Sequence, residues 1–489
     1  MHPRSLFPGS LTSLLASLLI MAAPPSTAGD IDFSQPQPGE ALPGGAASHS
    51  KAHNRRAFSH PNGNMPFEQR LDFRVGNGVF KKIWVSSPSS TTANDGLGPL
   101  YNARSCARCH IGNGRGHPPK DSDDSAVSMF LRLSIPPQNA QQKQQLAAGR
   151  IGVIPEPTYG TQLQDTAVRG LKGEGRMQIS YREISVALSE GESASLRVPQ
   201  YSVGDLNYGP MHPQVMLSPR VTPAMIGLGL LEQIPARAIE AAADPEDDDG
   251  DGISGRPNRV WNPHSGQLEL GRFGWKAGMP TLNQQNVSAF NGDIGISTPD
   301  IPRAAGDCTA QQSRCLQMPD GNSELHDGVE ASRIMTDLLL LYTRNIAVPT
   351  RRKVKDPQVL AGKQAFYQAG CQQCHQPSFT TADNPDLPQL SRQKIWPYSD
   401  LLLHDMGEGL ADNRPEFAAS GREWRTPPLW GIGLTETVSG HSYYLHDGRA
   451  RNLLEAMLWH GGEAEASKQA VITMPKADRQ NLIRFLESL

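Results

Sequence analysis

Long apolar runs, a surplus of either charge, aromatic side chains and cysteine are all scarce in this 489-residue chain. After residue 28 no stretch reaches the roughly eighteen uninterrupted apolar residues of a membrane span, so a membrane-spanning mature protein is not expected. Lys plus Arg number 46 and Asp plus Glu 49, a net charge of −3 that offers nucleic acid no global basic attraction. Hydrophobic residues make up 37% and aromatics 6%, while Gly (47) and Pro (40) are abundant. That composition describes a loop-rich protein, short of side chains whose burial would offset the ordering entropy of its backbone, and an apolar cofactor inside the core would relieve the shortfall. At about 100 to 200 residues per domain, the length allows two to four domains.

What is present begins with a basic start at Arg4 and the apolar run Leu11–Ala23, too short to span a bilayer comfortably. Ser26, Thr27 and Ala28 supply small residues at cleavage positions, so the expectation is a signal peptide over 1–28 and export to the periplasm. Residues 29–65, rich in Gly, Ala, Ser and His, read as a flexible mature N-terminus.

The six cysteines fall into three pairs. Cys106-Ala-Arg-Cys109-His110 and Cys371-Gln-Gln-Cys374-His375 are two C-x-x-C-H signatures for covalent haem c, where chance would place roughly 0.002 in the chain. Two thiols three residues apart on one helical turn can add to the two vinyl groups of one porphyrin, and the adjacent His reaches the iron. A zinc site would lack its fourth ligand, and a thioredoxin-like dithiol would need a βαβ context that the Gly-rich flanks do not offer. The third pair, Cys308 and Cys315, sits in a polar loop and is expected to form a local disulfide in an oxidising compartment.

Helical spacing over Leu360–Gly370 precedes the second haem motif, and Gly76–Phe80 with Trp84 precedes the first. About 260 residues separate the motifs, with strand-like alternation at Ser128–Ser134 and Met177–Leu188 and helical patterns at Pro223–Leu231 and Ser332–Leu341. Asp247, Asp249 and Asp251 occupy positions 1, 3 and 5 of an EF-hand-type loop, with Gly252 at 6 and the Ile253 carbonyl at 7. Asn258 stands at position 12 in place of the bidentate Glu, which predicts a weak calcium site.

These features resemble the bacterial di-haem oxidoreductases of peroxidase type, a family also described as thiol oxidoreductases. The resemblance rests on Gly96–His110, Met225–Glu232, Gly271–Ala277, His404–Gly407 and His446 through Glu463, and it extends from Phe67 to Leu489. Arg425–Leu429 and Tyr444–Gly448 are in addition similar to the second domain of bacterial di-haem cytochrome c peroxidases. The resemblance implies a mainly α protein of two cytochrome c-like haem domains, 66–345 and 346–489, the first carrying a long irregular insertion with short β-strands. In those peroxidases the sixth haem ligand, Met or Tyr, lies about fourteen residues beyond the His of the Y-x-H-D-G segment; here that position is His460, with Met406 and His404 as competitors. His/His ligation would lower the potential of the second haem. Across from His110 the candidates are His117, Met211, His212 and Met225, unless that iron is open.

By analogy with the peroxidases' catalytic carboxylate, Glu232 is the candidate acid–base group, against an ordinary helix-surface Glu. Lys276 is a candidate for lining the active site. The expected function is a redox enzyme in which the N-terminal haem reacts and the C-terminal haem relays electrons from a donor protein or small redox molecule. The competing function is an electron-transfer cytochrome with both irons six-coordinate.

Overall fold

The computed structural model describes residues 31–119, 124 and 128–489. The expected signal peptide lies outside them. Phe33–Leu489 forms one compact unit.

The fold is not mainly α. Helix accounts for 30% and strand for 18%, and the strands form seven two-stranded sheets among the described residues. Glycine and proline, poor in helix interiors, hold the longest helices to 13 residues. The region between the motifs contributes instead a long hairpin, Arg176–Ala187 paired with Ser193–Gly204, and the antiparallel pair Met129–Ser134 with Met216–Val221. In the hairpin Met177, Ile179 and Tyr181 are less exposed than the residues between them, so this part of the strand carries two different faces at a period of two, which a helix would scramble.

A similar device supports both cysteine motifs. Helix Gln69–Lys81 leads toward Cys106 and packs on Arg333–Arg344, which Ser332 caps by accepting from the Met335 amide. The two axes approach so closely that a Cβ on Gly76 would lie 2.2 Å from the Leu338 carbonyl oxygen. Phe73 and Phe80 close the contact against Tyr342, at ring distances of 4.9 and 5.3 Å. Helix Pro357–Gln368 leads directly into Cys371 and packs on the C-terminal helix Lys476–Ser488. A Cβ on Gly362 would lie 1.9 Å from Asn481 O, and Phe366 meets Phe485 at 5.2 Å.

The stretch 38–60, expected to be flexible, is held to the body by buried groups. Glu40 Oε2 accepts from Lys363 Nζ at 2.7 Å, Glu40 Oε1 accepts from Tyr398 Oη at 2.8 Å, and Arg351 pairs with the same carboxylate. An ion pair of this kind contributes position more than stability, because desolvating the charges offsets most of their attraction. Ala57 and Phe58 enter the main hydrophobic core, which also takes in Leu230, Ile346, Leu402 and Trp430. No helix among the described residues is long and apolar enough to cross a membrane.

Candidate functional site

Both cysteine motifs open onto a single cavity of about 560 Å³, within the roughly 300 to 1,000 Å³ of small-molecule and cofactor sites. Cys106, His110, Cys371, Cys374, His375 and His460 all line it. Cys106–Cys109 forms one helical turn and Cys371–Gln373 one 3-10 turn, so each thiol pair projects from a single turn of chain. Burial pushes the Cys106 and Cys371 thiols up to about 12, which leaves them protonated and removes the nucleophilic thiolate a redox dithiol needs.

Three imidazoles share one orientation device. His110 Nδ1 donates to Pro223 O at 3.0 Å, His375 Nδ1 to Tyr398 O at 2.9 Å, and His460 Nδ1 to Ala456 O at 2.8 Å. A carbonyl can only accept, so each ring carries its proton on Nδ1 and keeps the Nε2 lone pair for a metal. Burial depresses the pKa of all three, to about 4 for His110 and His375, and keeps them in the neutral form that ligation requires.

His404 is organised for a different task. Its Nε2 lies 2.7 Å from Asp400 Oδ2 and its Nδ1 2.6 Å from Glu463 Oε2, so neither nitrogen is available to an iron. Burial alone would lower its pKa, but Asp400 and Glu463 together raise it well above the ordinary histidine value, and the ring is an imidazolium. Met406 lines the cavity. Of the four candidates across from His110, only Met225 lines it; His117 is turned to His441, with ring centroids 5.3 Å apart, and Met211 belongs to a separate hydrophobic cluster.

Neither Glu232, the expected acid–base group, nor Lys276, expected to line the site, is among the residues lining the cavity. Glu232 is tied down at both oxygens, by the Leu282 amide at 2.8 Å and Arg344 Nε at 2.6 Å, and joins two helices. Lys276 is fully buried, pairs with Asp412 Oδ1 at 3.1 Å and donates to Ser420 O at 2.7 Å. Its ammonium lies 4.4 Å from the Trp424 ring centroid, and burial lowers its pKa to about 8. Lys276 supports Trp424 instead of lining the site.

The polar groups that do face the cavity include two that sequence reasoning passed over. His446 stacks on Trp424 at 3.7 Å, and its Nε2 has no hydrogen-bond partner. Burial takes its pKa down to about 3 and keeps the ring neutral. The second is an arginine-rich wall, in which Arg132, Arg220 and Arg414 face the carboxylate of Glu416. The Tyr444–Gly448 segment pointed at His446; nothing local marked the arginines, which lie far apart in the chain.

The residues of the expected EF-hand-type loop do not all come together. Asp247 and Asp249 bring carboxylate oxygens within 4.8 Å of each other, but their third partner is Asp244. Asp251 turns to Gln373 Nε2 at 2.8 Å. Asn258 is buried elsewhere: its Nδ2 donates to Lys276 O and Glu416 O and its Oδ1 accepts from Ala418 N, so it cannot be the twelfth-position ligand. Cys308 and Cys315 do form a disulfide, with Cα atoms 6.1 Å apart, and both are buried beside Leu100 and not in a solvated loop.

A cavity lined by Cys106, Cys371 and Cys374 and by three pre-oriented neutral imidazoles has the donor set of a protein built around two haems. A family model described as "Di-haem oxidoreductase, putative peroxidase" matches residues 39–489, nearly the whole chain. The chain belongs to this di-haem oxidoreductase family, and haem is its cofactor. No curated protein matches it. A solved structure of Kuenenia stuttgartiensis hydrazine synthase, pressurised with 20 bar xenon, aligns at 16% identity over 42% of this chain and 70% of its own, with a TM-score of 0.22. That score is too low to transfer a fold.

Proposed function

We propose that the protein is an exported c-type di-haem oxidoreductase of peroxidase type. Cys106 and Cys109 would attach the first haem and His110 would ligate its iron; Cys371 and Cys374 would attach the second, with His375 and His460 as its iron ligands. The observation that carries this reading is the shared Nδ1-to-carbonyl anchoring of His110, His375 and His460 on one cavity with Cys106, Cys371 and Cys374. Bound there, the haems supply the redox chemistry, and the surrounding residues do the rest. Phe80, Met225 and Leu231 exclude water from the cavity wall. His446 faces the same cavity with its Nε2 outside any hydrogen bond, whereas Glu232 has both oxygens committed elsewhere.

The first motif is assigned the reactive haem because, among the described residues, His110 has no counterpart to the carbonyl-anchored His460 that lies near His375. Electrons enter at the second haem from a donor protein or small redox molecule. The Cys308–Cys315 disulfide supports an oxidising compartment and hence the periplasm. Asp244, Asp247 and Asp249 are the groups that would bind calcium.

Mass spectrometry of protein made in cells able to mature cytochromes should show two added haem masses. EPR should then show one high-spin and one low-spin ferric iron, and His460→Ala should convert the low-spin signal. Absence of haem refutes the attachment. Two low-spin irons that bind no exogenous ligand would move the reading to an electron-transfer cytochrome, with Met225, on the cavity wall, as the second ligand of the first iron.

A further inference from the structure

Six arginines, 115, 132, 220, 272, 414 and 425, line the cavity, and three of them converge on one acid. Arg414 Nη1 donates to Glu416 Oε2 at 2.8 Å. Arg220 Nη2 is ion-paired with the same oxygen at 2.9 Å without hydrogen-bonding geometry, and Arg414 Nε has no hydrogen-bond partner. Arg220 is 5% exposed and Arg414 2%, so no bulk water reaches these N–H groups. A buried donor left in this state costs about 1–3 kcal/mol, more when charged, unless a ligand meets it.

Burial alone would raise the Glu416 pKa, yet Arg220, Arg414 and Arg132 hold it far below the ordinary carboxylate range. Arg132 also faces the buried Asp293 and Asp307, so Arg220 and Arg414 are the two guanidiniums that share Glu416 most closely. The neighbouring Asp412 is committed to Lys276, Ser218 and the Arg414 amide. Aromatic rings flank the cluster: Arg132 Cζ is 5.1 Å from the Phe130 ring centroid and Arg220 Cζ 5.7 Å from that of Trp424.

We propose that Arg132, Arg220 and Arg414, with Glu416 as internal counter-ion, form a carboxylate-binding site in the cavity wall. Planar guanidiniums with free edges favour carboxylate, which two N–H groups grip at once, over spherical anions. Two sources carry that chemistry, a haem propionate or a free carboxylic acid entering the cavity as substrate or effector. The site rests on the haem reading above, since the haems share the cavity.

The test titrates benzoate and acetate, at constant ionic strength, into holoprotein whose two haem masses have been confirmed, with calorimetry and the haem absorption band as readouts. If the site takes a free carboxylate, binding is saturable, weakens at least tenfold in Arg220→Gln and Arg414→Gln, and tightens in Glu416→Gln. If it takes a propionate, added carboxylate does not bind, but the midpoint potential of one haem becomes more negative in both arginine variants and is unchanged in the exposed control Arg422→Gln. Holoprotein that shows neither behaviour overturns the site and leaves the haem reading intact; protein without haem refutes that reading instead. Glu416→Gln adds to the positive excess, so it carries the test should the arginine variants not fold, and Arg220→Lys should retain part of the affinity.

Discussion

Replacing His404 with alanine removes one cation from between two buried acids. In the native protein the side chains of His404, Asp400 and Glu463 are 3%, 2% and 8% exposed, and the imidazole contacts both carboxylates at 2.6 to 2.7 Å. Asp400 retains only the Leu402 amide as a compensating donor at Oδ1, whereas Glu463 keeps Ser254 and the Asp405 amide. Breaking a buried pair by deleting one partner costs about 3–5 kcal/mol, because the remaining charge is left unpaired. Against a total stability of about 5–15 kcal/mol that is a large fraction. Urea denaturation of the holoprotein at pH 7 should show a lower midpoint at unchanged slope.

The dependence on pH gives a second check on His404→Ala. In the native protein burial would raise the Glu463 pKa, but His404, the Asp405 amide and Ser254 bring it down to about 2. Its contribution is present above the ordinary carboxylate range and is lost as the pH falls toward 2. His404, with its pKa raised, contributes most below the ordinary histidine value and loses that contribution as the pH rises through its folded pKa. In the variant the orphaned acids can protonate, so the deficit relative to wild type should shrink between pH 7 and pH 4. A loss below about 1 kcal/mol, or one that does not change with pH, would refute the assignment of His404 as a buried imidazolium holding two carboxylates.

Other outcomes follow from the same contacts. Gly362→Ala should cost about 1–3 kcal/mol by forcing apart helices Pro357–Gln368 and Lys476–Ser488, and should loosen the second motif, seen as faster hydrogen exchange over 357–375. Below about pH 6.5 the unfolded chain takes up protons that buried His446, with its pKa near 3, refuses. Stability should therefore fall on acidification by up to about 1.4 kcal/mol per pH unit for that group, and His446→Phe, which keeps the ring against Trp424, should flatten the slope.

The two cysteine motifs were legible because their information is local: three residues of spacing put Cys106 and Cys109, or Cys371 and Cys374, on one turn wherever that turn is placed. The Arg176–Gly204 hairpin was legible in its first strand for the same reason, since a period of two is a property of neighbouring residues. The helix and strand balance was not legible, because the resemblance to cytochrome c domains describes the surroundings of the motifs and says little about the residues between them.

Roles that depend on partners far along the chain were decided by tertiary structure alone. Glu232 looks like a candidate base until Arg344 and the Leu282 amide claim it, and Asn258 looks like a loop ligand until Ala418, Glu416 and Lys276 surround it. Arg132, Arg220 and Arg414 acquire meaning only by converging on Glu416. Covalent spacing survives any fold, whereas the charge state and availability of a buried polar group are set by whichever groups the fold brings within about 3 Å of it.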